Sequence, residues 1–556
     1  MIGFLFGVPF KTEQIPYLGM VIHVQSDILI IGTGGAGLRA AIEAHENGAK
    51  VVLVSKAPAG YNNCTIVAGS GYLAAVGGMS VDEHRERTLS TGKGLNDPAL
   101  VEALVNEGGD KVLELDRFGC VVNVRHGGIS VGGPDTRLGQ GITLPMVDYI
   151  RGLGIEFVEN VIITKLLKKE GTVVGAVGYS SKEEQPIIFQ TKAVLLASGG
   201  AGGLFKRTDC PLRTTGDGYT LAIEAGARLR DMEFCQFFPL ALAEPGAPNL
   251  LVDGNVVWEG KIINTTGEDI PAKHNVTERP YIAKSRDLLS RAMMREVHDG
   301  LGVDGAVMLD ARDVVKNGKP GDRYGMGDYD FYVKKLRAHE RPIRIAPLSH
   351  FTMGGVVANP DGETGVPGLL VAGEVVGGVH GANRHGGNAL TDVTVFGVRA
   401  AKKAVEYIQS IEFMDVDDLA ESELEYYKQL ASREVGYTPP TLMGLVRDNM
   451  WNNVSVIRDS FMLVEAYTRL SEIRDSTRSI LAKPGKQLLN ALELMMALDV
   501  CEFIIRAAME RRESRGAHFR LDHPEEDPAW RKTIILSKKD DSIQVTHAAI
   551  GEAFET

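Results

Sequence analysis

Residues 26–56, "SDILIIGTGGAGLRAAIEAHENGAKVVLVSK", restrict the fold of this chain more than any other stretch. An apolar strand runs into Gly32-x-Gly34-x-x-Gly37, an amphipathic helix follows and closes at Gly48, and a second apolar strand comes after it. A β–α–β unit of this kind commits the chain to a parallel, α/β arrangement. Gly32 permits the tight turn, Gly34 lets a pyrophosphate reach backbone amides, and Gly37 lets helix and strand pack closely. The glycine pattern alone also arises in ordinary turns. A strand before it, a helix after it and a unit of about 30 residues distinguish a dinucleotide site. The acid expected after the second strand is absent, and Ser55 and Lys56 stand in its place, which argues against a simple nicotinamide dinucleotide.

Two further segments repeat the theme. Residues 193–227 carry a buried strand into "SGGAGG" and then Gly216-Asp217-Gly218 before a helix, and "PGLLVAGEVVGGVHGANRHGGN" ends a strand at Gly373-Glu374. Three strand ends meeting one ligand suit FAD held along its whole length. Asp217 and Glu374 are candidate ligand acids, with turn formation or helix capping as the alternative. In "HGANRHGGNALTD" (380–392), an arginine among glycines just before a helix reads as an anion site.

At 556 residues and 44% hydrophobic content, a few domains are expected. A net charge of −12 and a pI near 5.6 argue against a nucleic-acid partner, and no basic run suggests a membrane anchor. The five cysteines are odd in number and widely spaced, so neither a disulfide framework nor a metal or iron–sulfur site is readable, and a reducing cytoplasm fits. Residues 1–19, interrupted by Pro9 and Pro16, are too short an apolar run to span a bilayer and read as an extension without an assigned role.

The segments "IIGTGGAG", "ASGGAG", "TGDG", "DMEFCQF", "SRDLLSRAM", "HFTMGGV", "AGEVVGGVHGANRHGGNALTD" and "ESRGAHFRLDHPEEDPAW" occur in this order. Together they resemble the flavoprotein subunits of succinate dehydrogenase and fumarate reductase, over nearly the whole chain after Met20. The resemblance implies an α/β protein with a Rossmann-like FAD-binding domain (20–232 and 350–408) split by an α+β capping domain (233–349). A helical domain (409–516) and a short C-terminal segment (517–556) follow, with 1–19 as an N-terminal extension. It implies FAD contacts at Gly32, Gly34, Gly35, Gly37, Ser55, Lys56, Thr65, Gly71, Asp217, Glu374, Asn388, Ala389 and Leu390. His350 and Arg384 would bind substrate, and Arg286 would deliver the proton. Alone, Arg286 reads more readily as a surface arginine paired with Asp287, and His350 as a core histidine; within their motifs the order reverses. His380 belongs to the family motif and is open to a structural role. His385 replaces a residue that is usually apolar and is not assigned to catalysis.

The implied activity is FAD-dependent reduction of a C=C bond beside a carboxylate, or the reverse oxidation, within a complex. The expected partner is an iron–sulfur electron-transfer subunit, with a diffusible donor as the alternative and membrane association only through partners. The chain departs from the family in two places. "QFFPL" puts Phe238 where a substrate histidine is usual, and "VDGN" puts Val252 where a threonine is usual. Each lost bond to a charged carboxylate is worth roughly 1.5–3 kcal/mol. Either Lys261 or Asn255 replaces them, or the substrate presents an apolar end. The other readings are an FAD scaffold with a decayed site, or a relative of aspartate oxidase. Cys64 stands where quinone-linked members carry a histidine bonded to flavin, so FAD is expected to be non-covalent, which in the family favours reduction. Within the cap, "GKIINTTGED" reads as a hairpin and "KPGDRYGMGDYD" as turn-rich.

Overall fold

The computed structural model describes residues 14–15, 19–133, 136, 138–252, 254–317, 330–433 and 435–555. Most of the N-terminal extension and most of "KPGDRYGMGDYD" lie outside the described residues. The first unit is β1 (Ile22–Ile31), α1 (Gly35–Glu46) and β2 (Val51–Ser55). It is followed by β3 (Glu156–Glu159), β4 (Val161–Lys169), β5 (Thr172–Ser180), β6 (Gln185–Leu196) and α2 (Asp217–Ala225). One sheet joins the strands in the order β3–β2–β1–β6–β5–β4. β1 lies parallel to both β2 and β6, as a crossover helix requires. Ile28, Leu29 and Ile30 are fully buried, which explains a strand apolar on both faces.

β7 (Cys235–Leu242), β8 (Lys261–Ile263), α3 (Arg286–His298), β9 (Val307–Asp310) and β10 (Ile343–Thr352) come next. Their antiparallel sheet has the order β7–β10–β9–β8. It has its own apolar cluster, running from Phe238 to Leu348. The stretch at 260–269 is not a two-strand hairpin. β8 pairs with β9, and only a single bridge joins Ile263 to Asp269. The reason is local: the Asn264 side-chain oxygen accepts from the backbone N–H groups of Thr266 and Glu268, forming a side-chain turn in place of a ladder.

The chain then returns to the first sheet. β11 (Leu369–Val371) pairs parallel with the end of β6, and α4 (Asn388–Ile408) packs on α1. The helices α5 (Asp417–Ala431), α6 (Pro439–Val454), α7 (Ser460–Ser476) and α8 (Lys486–Glu510) follow. α8 is buried along most of its length, matching its nearly continuous apolar sequence. A hairpin of β12 (Thr533–Lys539) and β13 (Ser542–Ala548) closes on Leu229–Arg230. Beside it, the fully buried Arg511 meets Glu233 at 2.5 Å and Asp231 at 3.4 Å, while Arg458 bonds the Glu233 carbonyl at 2.8 Å and His518 at 2.7 Å. Among the described residues, no helix is long and apolar enough to cross a membrane.

Candidate active site

The ends of β1, β6 and β11 lie side by side. Gly32 has φ +120° and faces the Ala197 carbonyl so closely that a Cβ there would sit 2.2 Å from that oxygen; a Cβ on Gly37 would sit 2.0 Å from the Gly32 carbonyl. Only glycine fits either position. α1 begins at Gly35 without a side-chain cap, and the Gly35 N–H donates to Thr65 Oγ1 at 3.0 Å. Gly32, Gly34, Gly35, Ser55, Lys56, Thr65, Asp217 and Glu374 line one elongated cavity in front of this helix end. Lys56 Nζ donates to Asp217 at 2.8 Å and Glu493 at 2.7 Å, so part of its charge is already neutralised within the chain. Burial alone would raise the Asp217 carboxyl, but Lys56 beside it holds it below the usual range. Burial pushes Glu374 up to about 7, although the Thr352 N–H bonds its carboxyl at 3.0 Å.

These residues fit FAD. The glycine loop clears the backbone for a pyrophosphate, a helix N-terminus whose cap residue Gly34 carries no side chain faces it, and the buried Ser198 hydroxyl has no protein partner. Gly37 serves by packing and does not line the cavity. Asn388 departs from the contact role expected of it. Its side chain bonds His84 at 2.9 Å and Thr88 at 2.9 Å, and it lines neither cavity.

A second cavity, of about 270 Å³, adjoins the first at Cys64, Thr65, Glu374 and Val393. Arg286, His350 and Arg384, from three distant parts of the sequence, all line it, with Gly71, Ala389 and Leu390 on its wall. One atom joins the two guanidiniums: Gln236 Oε1 accepts from Arg286 at 2.7 Å and from Arg384 at 3.0 Å. The Gln236 amide nitrogen donates to Asn383 Oδ1 at 2.7 Å and to the Arg384 carbonyl at 2.9 Å, which fixes its orientation. The Ile282 carbonyl accepts from Arg286 at 2.9 and 3.2 Å. A neutral acceptor holds two cations together without cancelling either charge. Burial, followed by the charge of Arg384, brings Arg286 down to about 9, and burial brings Arg384 down to about 10.

His350 Nδ1 lies 2.8 Å from Asp209 Oδ2. Burial lowers the imidazole below its ordinary value despite that carboxylate, so the ring is neutral near pH 7. Phe238 sits between these groups, its ring 5.5 Å from that of His350 and 5.4 Å from the Arg286 guanidinium carbon. Val252 lines the same wall. Of the residues expected to replace the missing carboxylate ligands, Lys261 is exposed on β8 opposite Asp310 and away from the cavity, and the Asn255 side chain lies outside the described residues. His380 is buried against Asp392 and Phe351, and His385 bonds the Gly386 carbonyl; neither lines the cavity. Arg286 is not a surface arginine paired with Asp287, which instead lies 3.8 Å from Arg291.

Gln236 and Asp209 escape a reading of the sequence as site residues. Gln236 lies inside the motif "DMEFCQF", at the start of an apolar strand, and a polar side chain in so apolar a run is the available signal. Nothing local marks Asp209, because its partner is 141 positions away.

A family model described as FAD binding domain matches residues 27–390, and one described as fumarate reductase flavoprotein C-term matches residues 445–552. The chain is 34% identical over 542 residues to a fumarate reductase (CoM/CoB) subunit of Methanothermobacter marburgensis, covering 93% of this chain and 97% of that one. It is 30% identical to the succinate dehydrogenase flavoprotein subunit of Rickettsia bellii, covering 93% of each. Its backbone superposes on a quinol fumarate reductase chain from Escherichia coli with a TM-score of 0.85 at 25% identity, covering 96% of this chain and 97% of that chain.

Proposed function

The chain belongs to the fumarate reductase and succinate dehydrogenase flavoprotein family, FAD-dependent oxidoreductases acting on CH–CH bonds, and from that premise we propose that it interconverts fumarate and succinate in its second cavity. The observation that carries the assignment of residues is the meeting of Arg286, His350 and Arg384 around one cavity that adjoins the dinucleotide cradle. Gly32, Gly34, Gly35, Ser55, Lys56, Thr65, Asp217, Glu374, Ala389 and Leu390 would hold FAD, with Gly37 supporting the loop. When bound, FAD supplies the two-electron exchange at the double bond.

Arg384 and the neutral His350 hold the carboxylate beside that bond and stabilise the charge that grows on it. Arg286 holds a proton for the α carbon. An ordinary arginine is too weak an acid for this, and the lowering to about 9 brings it within range. Asp209 fixes the His350 ring by taking its Nδ1–H, and Gln236 fixes the angle between the two guanidiniums. The antiparallel insert carrying Arg286 acts as a cap that keeps water out. Cys64 is half-buried and lines both cavities, with its sulfur 3.9 Å from Thr214 Oγ1; we assign FAD a non-covalent attachment because this position carries no histidine.

The relatives are named as subunits, which supports exchange of electrons with a partner; we assign that role to an iron–sulfur protein in the cytoplasm. The experiment is purification of the flavin-loaded protein, acid denaturation and assay with a reduced viologen. The reading predicts free FAD in the supernatant and fumarate-dependent oxidation of the viologen. FAD that stays with the pellet contradicts the non-covalent attachment, and no turnover contradicts the activity.

A further inference from the structure

Two thiols from distant parts of the sequence meet where the two cavities join. Cys64, half-buried, lines both cavities, and Cys210, buried, lines the second. Cys64 Sγ lies 3.9 Å from Thr214 Oγ1, and Thr214 shares a turn with Cys210, its N–H donating to the Pro211 carbonyl at 2.9 Å. The Cys210 thiol is itself within hydrogen-bonding reach of Cys64, and its sulfur is 3.5 Å from the His350 carbonyl and 3.9 Å from Asp209 Oδ1. The contact with Cys64, followed by burial, holds the Cys210 thiol well above its ordinary value, so it stays protonated. A buried, protonated thiol is slow towards a dissolved oxidant, whereas Cys64 is reached from either cavity. Cys120, Cys235 and Cys501 are buried and line neither cavity.

We propose that Cys64 and Cys210 are an oxidation site, converted by hydrogen peroxide into a reversible disulfide that distorts the second cavity. In the first step the Cys64 sulfur attacks peroxide. An S–O bond forms and the O–O bond breaks, Cys64 is oxidised to a sulfenic acid, and the peroxide is reduced, one water leaving with the thiol proton. In the second step the Cys210 sulfur attacks that of Cys64. An S–S bond forms, the S–O bond breaks, and the hydroxide leaves as a second water with the Cys210 proton. Added thiol reverses the change by exchange. An S–S bond of about 2 Å is shorter than any contact between unbonded thiols, so its formation draws the Cys210 turn towards Cys64. Asp209, next in the chain and 2.8 Å from the His350 ring, moves with it. The pairing itself is independent of the reaction at the site; its effect on turnover rests on the proposed fumarate reduction.

The test uses the flavin-loaded full chain, treated with hydrogen peroxide, denatured, alkylated with iodoacetamide and mapped by peptide mass spectrometry. The proposal predicts that alkylated thiols fall from five to three, that a Cys64–Cys210 peptide appears, and that dithiothreitol restores all five. In Cys210→Ser the Cys64 sulfenic acid should instead be trapped by dimedone. Five free thiols after peroxide at a dose that oxidises glutathione, a disulfide joining other cysteines, or a Cys64 peptide carrying flavin overturns the proposal in the unaltered protein, whatever becomes of the variant. In parallel, fumarate reduction should fall at least about tenfold in kcat/KM on oxidation and recover with dithiothreitol, the size expected when a substrate-holding group shifts by less than about 1 Å. Full turnover by the disulfide form overturns the distortion of the cavity. A reduced protein with no turnover at all overturns the family reaction, while the peptide map still decides the disulfide.

Discussion

At the scale of single residues, the site depends on a neutral amide between two cations. Gln236 accepts from both Arg286 and Arg384, and the charge of Arg384 adds to burial in lowering Arg286 to about 9, the property on which its proposed role as an acid rests. Gln236→Glu puts a carboxylate between them, which raises the Arg286 pKa and makes it a poorer donor. We expect fumarate reduction to slow and its alkaline limb to move above the position near 9, read from the pH dependence of kcat. Arg286→Ala removes the donor and should cost about 10²–10⁴ in kcat with a smaller change in KM, measured by steady-state assay. The sequence shows Arg286, His350 and Arg384 through their motifs. It does not show Gln236 and Asp209 as their partners, because a hydrogen bond between strands and loops far apart in the chain leaves no local pattern.

At the scale of elements, the glycine loop and the strand ends are readable because each is a local constraint: a turn, a close approach, a buried run. Gly37→Ala tests that constraint. Its Cβ would meet the Gly32 carbonyl at 2.0 Å, so α1 must move off β1. The cost is on the order of 1–3 kcal/mol for overpacking. We expect a lower melting temperature and a reduced FAD-to-protein ratio, read from absorbance after the flavin is released. The antiparallel insert is harder to read. The stretch at 260–269 has the turn formers of a hairpin, yet β8 finds its partner in β9, more than 40 residues later in the sequence, by a tertiary choice that turn propensity does not encode. The Asn388 side chain is turned to a structural use for a similar reason: its amide is taken by His84 and Thr88 on a helix whose position the motif does not specify.

At the scale of the whole molecule, the end of the helical region and the final hairpin fasten the strand that carries Gln236. Arg511, fully buried, reaches Glu233 and Asp231, just before β7, and the final hairpin pairs with the same region. Removing one partner strands a buried charge. Arg511→Ala is therefore expected to lose about 3–5 kcal/mol, seen as a fall in melting temperature in thermal unfolding. In the proposed reaction Arg286 gives up a proton beside a carboxylate held by Arg384 and His350. The most direct measurement is single-turnover reoxidation of pre-reduced, flavin-loaded protein by fumarate from pH 7 to 10. An arginine with its pKa lowered to about 9 is protonated below that pH and loses the proton above it, so the rate should hold at pH 7 to 8 and fall through about 9. A rate that is flat across the whole range, or that rises with pH, contradicts Arg286 as the proton donor.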